Sequence, residues 1–195
     1  MMSFEAVKTV AVKHHYQDLI HLFDSTFFEE YNTRLVKGGD EPIYLPASET
    51  CQYNQIVFAH GYYASALHEV SHWCLAGTAR RQLEDFGYWY VPDGRDQQQQ
   101  IAFEKVEIKP QAIEWALCAA AGKDFDVSTD NLSGSGETDR FAFKAKVYQQ
   151  VCRYLNVGFP KDAEALIQVL AKHYQRPWPL ISEHFHYTAD TVEIC

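Results

Sequence analysis

The chain contains the sequence His68-Glu-Val-Ser-His72, in which two histidines lie four positions apart. On an α-helix, side chains at this spacing share one face and are separated by about one turn. Two imidazole nitrogens placed in this way can bind one divalent metal ion, and Glu69 beside them can act as a base or hold a ligand. The spacing therefore predicts a metal site on a helix, with His68, Glu69 and His72 as catalytic residues.

The sequence around this motif favours a helix. Residues 61–77 contain no proline, and Gly77 is typical of the position just beyond a helix end. One apolar stripe runs along this segment and would face a core: Tyr63, Leu67, Val70 and Cys74. The histidines fall on the neighbouring stripe, as expected for metal ligands on the flank of a core-facing helix. The alternative is a buried helix whose two histidines only form hydrogen bonds.

Two histidines bind a metal weakly, so a third protein ligand is expected. Further along the chain, polar side chains step by three or four positions and form one face of a helix: Gln97, Gln100, Glu104, Glu107 and Gln111. One of Glu104 and Glu107 would be the ligand, and the other would hold a histidine N–H or a bound water. We favour Glu107, because Pro110 is expected to begin a new helix and leave this carboxylate free to turn. A solvated polar face is the alternative.

Three more residues are candidates for binding a substrate. Asp93 and Arg95 flank Gly94 in a turn that would place a charged pair at the mouth of the site. Asp-Gly is equally ordinary turn chemistry, so an exposed salt bridge without a function is the alternative. His60 precedes the motif helix and would contact the substrate or support a ligand, or else serve as a core or capping residue.

Two histidines and a carboxylate suit two classes of reaction. In a zinc hydrolase, Glu69 would act as the general base toward a water molecule that attacks a carbonyl group. In an iron(II) site, the remaining coordination positions bind dioxygen and substrate, and a C–H bond is hydroxylated. The ligand types are the same, so the motif leaves both classes open, although it is commoner in hydrolases. A metal-stabilised binding protein without catalysis is a third class.

The elements that would position these residues follow an α+β pattern. Apolar periodicity predicts five helices at 15–31, 96–110, 111–121, 139–155 and 161–174. Pro110 separates the second from the third, or kinks a helix that continues through it. Four short strands are also predicted, at 34–37, 42–45, 55–59 and 87–91. The first two lie on either side of a Gly-rich turn. Early strands, a central motif helix and late helices predict one α+β domain over residues 1–195, with a small mixed sheet packed against helices.

The composition is that of a folded globular protein, since 47% of its 195 residues are apolar and 14% are aromatic. A net charge of −9 argues against general nucleic-acid binding, which needs basic surfaces. Five widely spaced cysteines without a Cys-x-x-Cys motif predict reduced thiols. The start lacks the apolar core of a signal peptide, and no apolar run approaches the roughly 18 residues of a membrane span, so we expect a cytoplasmic protein with no membrane partner.

Several blocks of the sequence resemble the elongation factor P hydroxylases, bacterial enzymes that hydroxylate the β-lysyl-lysine side chain of elongation factor P. The motif is generic, but the blocks around it are specific, and they cover much of residues 30–122: Asp40-Glu-Pro-Ile-Tyr-Leu-Pro-Ala47, residues 56–77 with the motif, Asp85-Phe-Gly-Tyr-Trp-Tyr90, Pro92-Asp-Gly-Arg-Asp96 and Phe103-Glu-Lys-Val-Glu-Ile-Lys-Pro-Gln-Ala112.

This resemblance implies an iron(II) site with molecular oxygen as co-substrate, in which Glu107 or Glu104 joins His68 and His72. Zinc or another divalent metal could occupy the same site in isolated protein. The implied substrate is β-lysylated elongation factor P. Its amino groups could be bound through charge-assisted hydrogen bonds by nearby acidic residues: Glu69, Asp93, Glu104, Glu107 and Glu114.

The resemblance also implies a fold similar to a metal-dependent endoribonuclease of ribosomal RNA maturation. That endoribonuclease motif carries a third histidine, whereas no histidine follows His72 here before His173. This difference argues against ribonuclease activity and against nucleic acid as a direct partner. A zinc-dependent hydrolase or peptidase with Glu69 as general base stays the alternative function.

Overall fold

The computed structural model describes residues 13–87, 94–129, 131 and 139–187. In this part of the chain the fold is α+β, as predicted, with five helices and a small three-stranded sheet. Short 3-10 turns follow α2 and α5. In chain order the main elements are α1 (Tyr16–Tyr31), β1 (Thr33–Lys37), β2 (Ile43–Leu45), β3 (Asn54–Phe58), α2 (Tyr63–Leu75), α3 (Gln97–Ala121), α4 (Arg140–Val157) and α5 (Lys161–His173).

The sheet is mixed, and β3 is its central strand. β3 pairs with β1 in parallel and with β2 in antiparallel orientation. The two strands predicted around a Gly-rich turn are therefore present, but they do not pair with each other, because β3 lies between them. The Gly38 N–H bonds the Phe58 carbonyl at 2.8 Å, and a Cβ at Gly38 would collide with the side chain of Val57. Gly38 thus extends the contact of β1 with β3, and the chain reverses direction between Gly38 and the start of β2.

Helix α2 is anchored to α1 by aromatic packing. Phe23 and Phe27 lie one turn apart on α1, and their ring centroids are 5.2 and 5.0 Å from that of Trp73. All three side chains are buried. Since burying an aromatic or aliphatic side chain of this size stabilises a fold by roughly 1.5–3 kcal/mol, this contact fixes the orientation of α2. The neighbouring residue His72 is thereby turned toward α3.

The C-terminal end of α2 is held by an ion pair that is largely shielded from solvent. Arg81 Nη2 lies 2.6 Å from Asp162 Oδ2 at the start of α5, and both residues are 9% exposed. The guanidinium group of Arg81 also stacks on the Trp73 ring at 3.7 Å, and Tyr31 donates a hydrogen bond to Asp162. Removing one partner of a buried pair typically costs about 3–5 kcal/mol, so this link ties α1, α2 and α5 together.

Helix α3 is a single helix of 25 residues that continues through Pro110. The expectation that Pro110 begins a new helix is therefore wrong. Proline removes the N–H that would bond the carbonyl of Val106, but Val106 lies on the exposed side of the helix, where water can take its place. The ends are well defined, because Asp96 and Gln99 form a capping box and Gly122 adopts a left-handed conformation with φ 69°.

Several predictions from the sequence are confirmed and others are not. Helices α1, α4 and α5 begin and end within two residues of the predicted bounds. The strand predicted at 87–91 and most of the predicted loop at 128–137 lie outside the described residues. Cys51, Cys74 and Cys118 are free thiols, as expected, but Cys152 is disulfide-bonded. The expectation of reduced thiols is wrong for Cys152, because wide spacing in the sequence does not determine distance in the fold.

No helix in the described part of the chain combines the length and the apolarity needed to cross a membrane.

Candidate metal centre

Two histidines of α2 and one glutamate of α3 converge on one point. His68 Nε2 and His72 Nε2 lie 3.2 Å apart. A carboxylate oxygen of Glu107 is 3.3 Å from His72 Nε2, and its other oxygen is 3.8 Å from His68 Nε2. Among the described residues, these three form a group whose ligand atoms all lie within 4.8 Å of one another.

The packing of α2 explains why both histidines face α3. Leu67, Val70 and Trp73 are fully buried, and they occupy the side of the helix that meets the core. The histidines lie on the adjoining face and keep part of their surface exposed, 23% of the His68 side chain and 13% of the His72 side chain. The apolar stripe that the sequence shows therefore determines the direction of the ligand face.

The donor atoms suit a divalent metal ion. Bonds of about 2.1 Å in tetrahedral or octahedral geometry place adjacent ligand atoms roughly 3.0–3.4 Å apart; His72 Nε2 lies 3.2 Å from His68 Nε2 and 3.3 Å from Glu107, and the third separation is 3.8 Å. Two imidazole nitrogens and one carboxylate oxygen are also ligands that zinc and iron(II) both accept. The residues thus fit a metal ion, with three protein ligands on one side and further positions left for water or substrate.

Glu107 is ionised at neutral pH although it is only 2% exposed. Burial raises the pKa of this carboxyl, but the hydrogen bond with His72 and the charges of His72 and His68 outweigh burial and lower the pKa to about 2. Gln111 also donates a hydrogen bond to Glu107 Oε2 at 3.3 Å. A negative ligand therefore faces the histidines in a largely dry environment, where it would favour a bound cation.

Glu114 contacts the far side of His68. Its carboxylate oxygen Oε2 lies 2.9 Å from His68 Nδ1. Burial lowers the pKa of His68, but the hydrogen bond and charge of Glu114, together with Glu107 and Glu69, raise it well above its usual value. The sequence predicted that the other of Glu104 and Glu107 would hold a histidine N–H or a bound water, whereas the carboxylate at the His68 Nδ1 atom is that of Glu114. The signal that was missed is the spacing of Glu107, Gln111 and Glu114, which share one face of α3.

Gln111 links the candidate ligand Glu107 to the segment that follows α3. Its amide group forms two hydrogen bonds with the backbone of Ser128, at 2.8 and 3.0 Å. Its side chain is almost fully buried, and together with Glu107 Oε2 the amide has three hydrogen-bond partners. The sequence placed Gln111 on the polar face of the helix but gave it no role.

Glu104, the other candidate for the third ligand, is not brought to the histidines. It is half-buried, and it accepts a long hydrogen bond of 3.5 Å from Gln100. Glu104 precedes Glu107 by three residues, which turns its side chain by about 60° around the helix axis relative to Glu107. The structure therefore places Glu107, and not Glu104, beside His68 and His72.

Glu69 lies next to the group without belonging to it. Its side chain is half-buried. Burial raises the pKa of this carboxyl, the charges of His68 and His72 lower it, and Glu107 and Asp85 raise it, with a net shift upward. A carboxyl with a raised pKa beside a candidate metal site is well suited to exchange a proton.

The three predicted substrate contacts have different outcomes. Asp93 lies outside the described residues. Arg95 is only 1% exposed, so its expected position at the mouth of the site is wrong. Its guanidinium group stacks on Phe103 at 3.7 Å and donates a hydrogen bond to Gln100, which compensates for its burial. His60 is exposed and lies 3.5 Å from Asp40, outside the ligand group, so its contact with substrate stays a prediction.

Comparison with known proteins agrees with the resemblance noted in the sequence. The family model of the elongation factor P hydroxylases matches residues 22–185. The chain belongs to the elongation factor P hydroxylase family. A relative from Haemophilus influenzae, named elongation factor P lysine hydroxylase, is 56% identical over 164 residues, which cover 84% of this chain and 91% of the relative. The region shared with the elongation factor P hydroxylases includes α2 and α3, and thus every residue of the candidate metal centre.

Proposed function

We propose that this chain is a metal-dependent enzyme that hydroxylates the β-lysyl-lysine side chain of elongation factor P. His68, His72 and Glu107 would bind iron(II), and molecular oxygen would be the co-substrate. The observation that carries this proposal is the convergence of two imidazole nitrogens and one carboxylate within 4.8 Å. Membership of the hydroxylase family and the name of the Haemophilus influenzae relative support the reaction and the substrate.

The chain's own residues would bind the metal ion on one side and leave the substrate side open. Iron(II) would bind and activate dioxygen for attack on a C–H bond; one oxygen atom would enter the lysine side chain, and an external reductant would supply the two electrons that reduce the other oxygen atom to water. The carboxylate of Glu107 contributes one negative charge, and its hydrogen bond from Gln111 keeps it directed at the histidines. Since all three ligands come from the packed pair α2 and α3, their positions would change little when a substrate arrives.

Glu69 would carry a proton or bind an ammonium group of the substrate. It follows His68 directly, it is half-buried, and it is not one of the three converging ligands. A carboxylate with this degree of burial forms stronger charge-assisted hydrogen bonds than an exposed carboxylate does. The amino groups of a lysylated lysine side chain are suitable partners.

Three further expectations belong to this proposal. The chain would function as one domain in the cytoplasm. It would have neither nucleic acid nor membrane as a partner, and its net charge of −9 supports the absence of a nucleic-acid partner. Its fold would be similar to that of the metal-dependent endoribonuclease of ribosomal RNA maturation. His60 would contact the substrate, which its exposure permits.

A zinc-dependent hydrolase or peptidase is the second candidate. It is favoured by Glu69, which lies beside the ligand group and could act as the general base for attack by water. The two candidates differ in one requirement, because only the hydroxylase consumes oxygen.

Metal removal and replacement test the proposed function. We expect that chelator-treated protein gives no hydroxylation of lysylated elongation factor P, that iron(II) restores the activity, and that zinc does not. The product is measured by mass spectrometry as the gain of one oxygen atom on the modified lysine.

Thermal melting of each preparation serves as the control, because it separates loss of the metal from loss of the fold. Full activity in the metal-free protein would contradict the proposal. Peptide hydrolysis by the zinc-loaded protein, with no oxygen gain in any preparation, would favour the hydrolase.

A further inference from the structure

We infer that Glu114 is a positioning residue for the metal centre, which fixes the orientation and the protonated nitrogen of His68. This inference rests on the proposed function, because it takes His68 to be a metal ligand. Its geometric basis is the 2.9 Å contact of Glu114 Oε2 with His68 Nδ1, on the side of the ring opposite the converging Nε2 atom.

The contact determines which nitrogen of His68 can bind a metal. A neutral imidazole carries one N–H and one lone pair, and either nitrogen can hold the proton. When a metal displaces one proton from His68, the carboxylate at Nδ1 accepts a hydrogen bond from the remaining N–H, so it retains that proton there and leaves the lone pair on Nε2. Without Glu114, the proton could move to Nε2 and point at His72 Nε2, which is only 3.2 Å away. Glu114 therefore directs Nε2 of His68, rather than Nδ1, to the metal.

Helix α3 presents both the third ligand and this support. Glu107 and Glu114 are seven residues apart, which places them two turns apart on the same face. The helix is fixed around Glu114 by its buried neighbours Ile113 and Trp115. A shift of α3 against α2 would therefore move Glu107 and Glu114 together. The contacts of these two carboxylates with the histidines of α2 thus stabilise the same relative position of the two helices.

The free-energy cost of burying the charged carboxylate of Glu114 supports the same role. Its side chain is 13% exposed, and a carboxylate in such a position is unfavourable unless it is paired. His68 supplies the pairing partner. Outer hydrogen bonds of this kind commonly change metal affinity by about 10–100-fold when they are removed.

The test compares metal binding by Glu114→Gln, Glu114→Ala and a matched control, Glu104→Gln. Glu104 lies on the same helix and is half-buried, but it is not in the ligand group. Cobalt(II) is the probe, and its affinity is measured by competition with a coloured chelator. We expect cobalt(II) to bind about 10–100-fold more weakly to Glu114→Ala than to the wild type, with a smaller loss for Glu114→Gln, which keeps a hydrogen-bonding group.

The absorption spectrum of bound cobalt(II) is the second readout, and we expect it to change in the Glu114 variants and to stay unchanged in Glu104→Gln. Melting temperatures of the metal-free proteins show whether each variant is folded. Wild-type affinity and spectrum in a folded Glu114→Ala would overturn the inference, as would an equal loss in Glu104→Gln. If the wild type itself bound no cobalt(II), the proposed metal centre would fail, and the role of Glu114 with it.

Discussion

His68→Ala and His72→Ala are each expected to abolish hydroxylation of elongation factor P and to leave the protein folded. Each substitution removes one of the three converging donor atoms, and two remaining donors bind a divalent metal only weakly. The fold should survive, because both histidines lie on the partly exposed flank of α2 and the core side of the helix is untouched. The measurements are the oxygen gain on the modified lysine, the bound metal, and the melting temperature.

A matched control is His21→Ala on α1. His21 is also a helical histidine, but it is exposed and not in the ligand group. It should keep wild-type activity and metal content. Hydroxylated product from either His68→Ala or His72→Ala, at a level near that of the control, would rule out these histidines as ligands.

Glu107→Ala is expected to remove most of the bound metal and the activity, whereas Glu104→Ala should change the activity by no more than about twofold. Glu107 is 2% exposed and contacts both histidines, so its loss removes a ligand and the only negative charge within the group. Glu104 contacts neither histidine. A substitution at a position without such a contact usually changes the free energy of unfolding by about 0.5 kcal/mol or less. Metal content after gel filtration, together with activity, distinguishes the two variants.

Glu107→Gln refines this comparison, because glutamine keeps the shape of the side chain and loses the charge. We expect it to resemble Glu107→Ala in metal content. If Glu104→Ala lost more metal than Glu107→Ala, the assignment of the third ligand would be reversed.

Periodicity in the sequence was sufficient to predict α1, α4 and α5 and the direction of the ligand face. The stripe formed by Leu67, Val70 and Cys74 is a local pattern, and the packing of Trp73 against α1 follows from it. Strand pairing was not accessible in this way. β1 and β2 are close in the sequence, but β3 lies between them, because pairing depends on contacts between residues far apart in the chain.

The candidate site was predictable in its residue types and less so in its contacts. The polar face of α3 indicated Glu104 and Glu107, but the choice between them depends on how α2 and α3 pack, and no local pattern contains that information. The argument from Pro110 was wrong, since α3 continues through it. The contact of Glu114 with His68 was missed for the same reason. Arg95 is buried against expectation because a phenyl ring and polar acceptors surround its guanidinium group.

The most direct measurement uses iron(II)-loaded protein, β-lysylated elongation factor P, a reductant and isotopically labelled dioxygen, followed by mass spectrometry of the modified lysine. If the chain is an oxygen-dependent hydroxylase, the lysine gains one labelled oxygen atom, and the gain disappears under argon and in His72→Ala. An unchanged mass, or an incorporated oxygen atom that carries no label, would contradict this function.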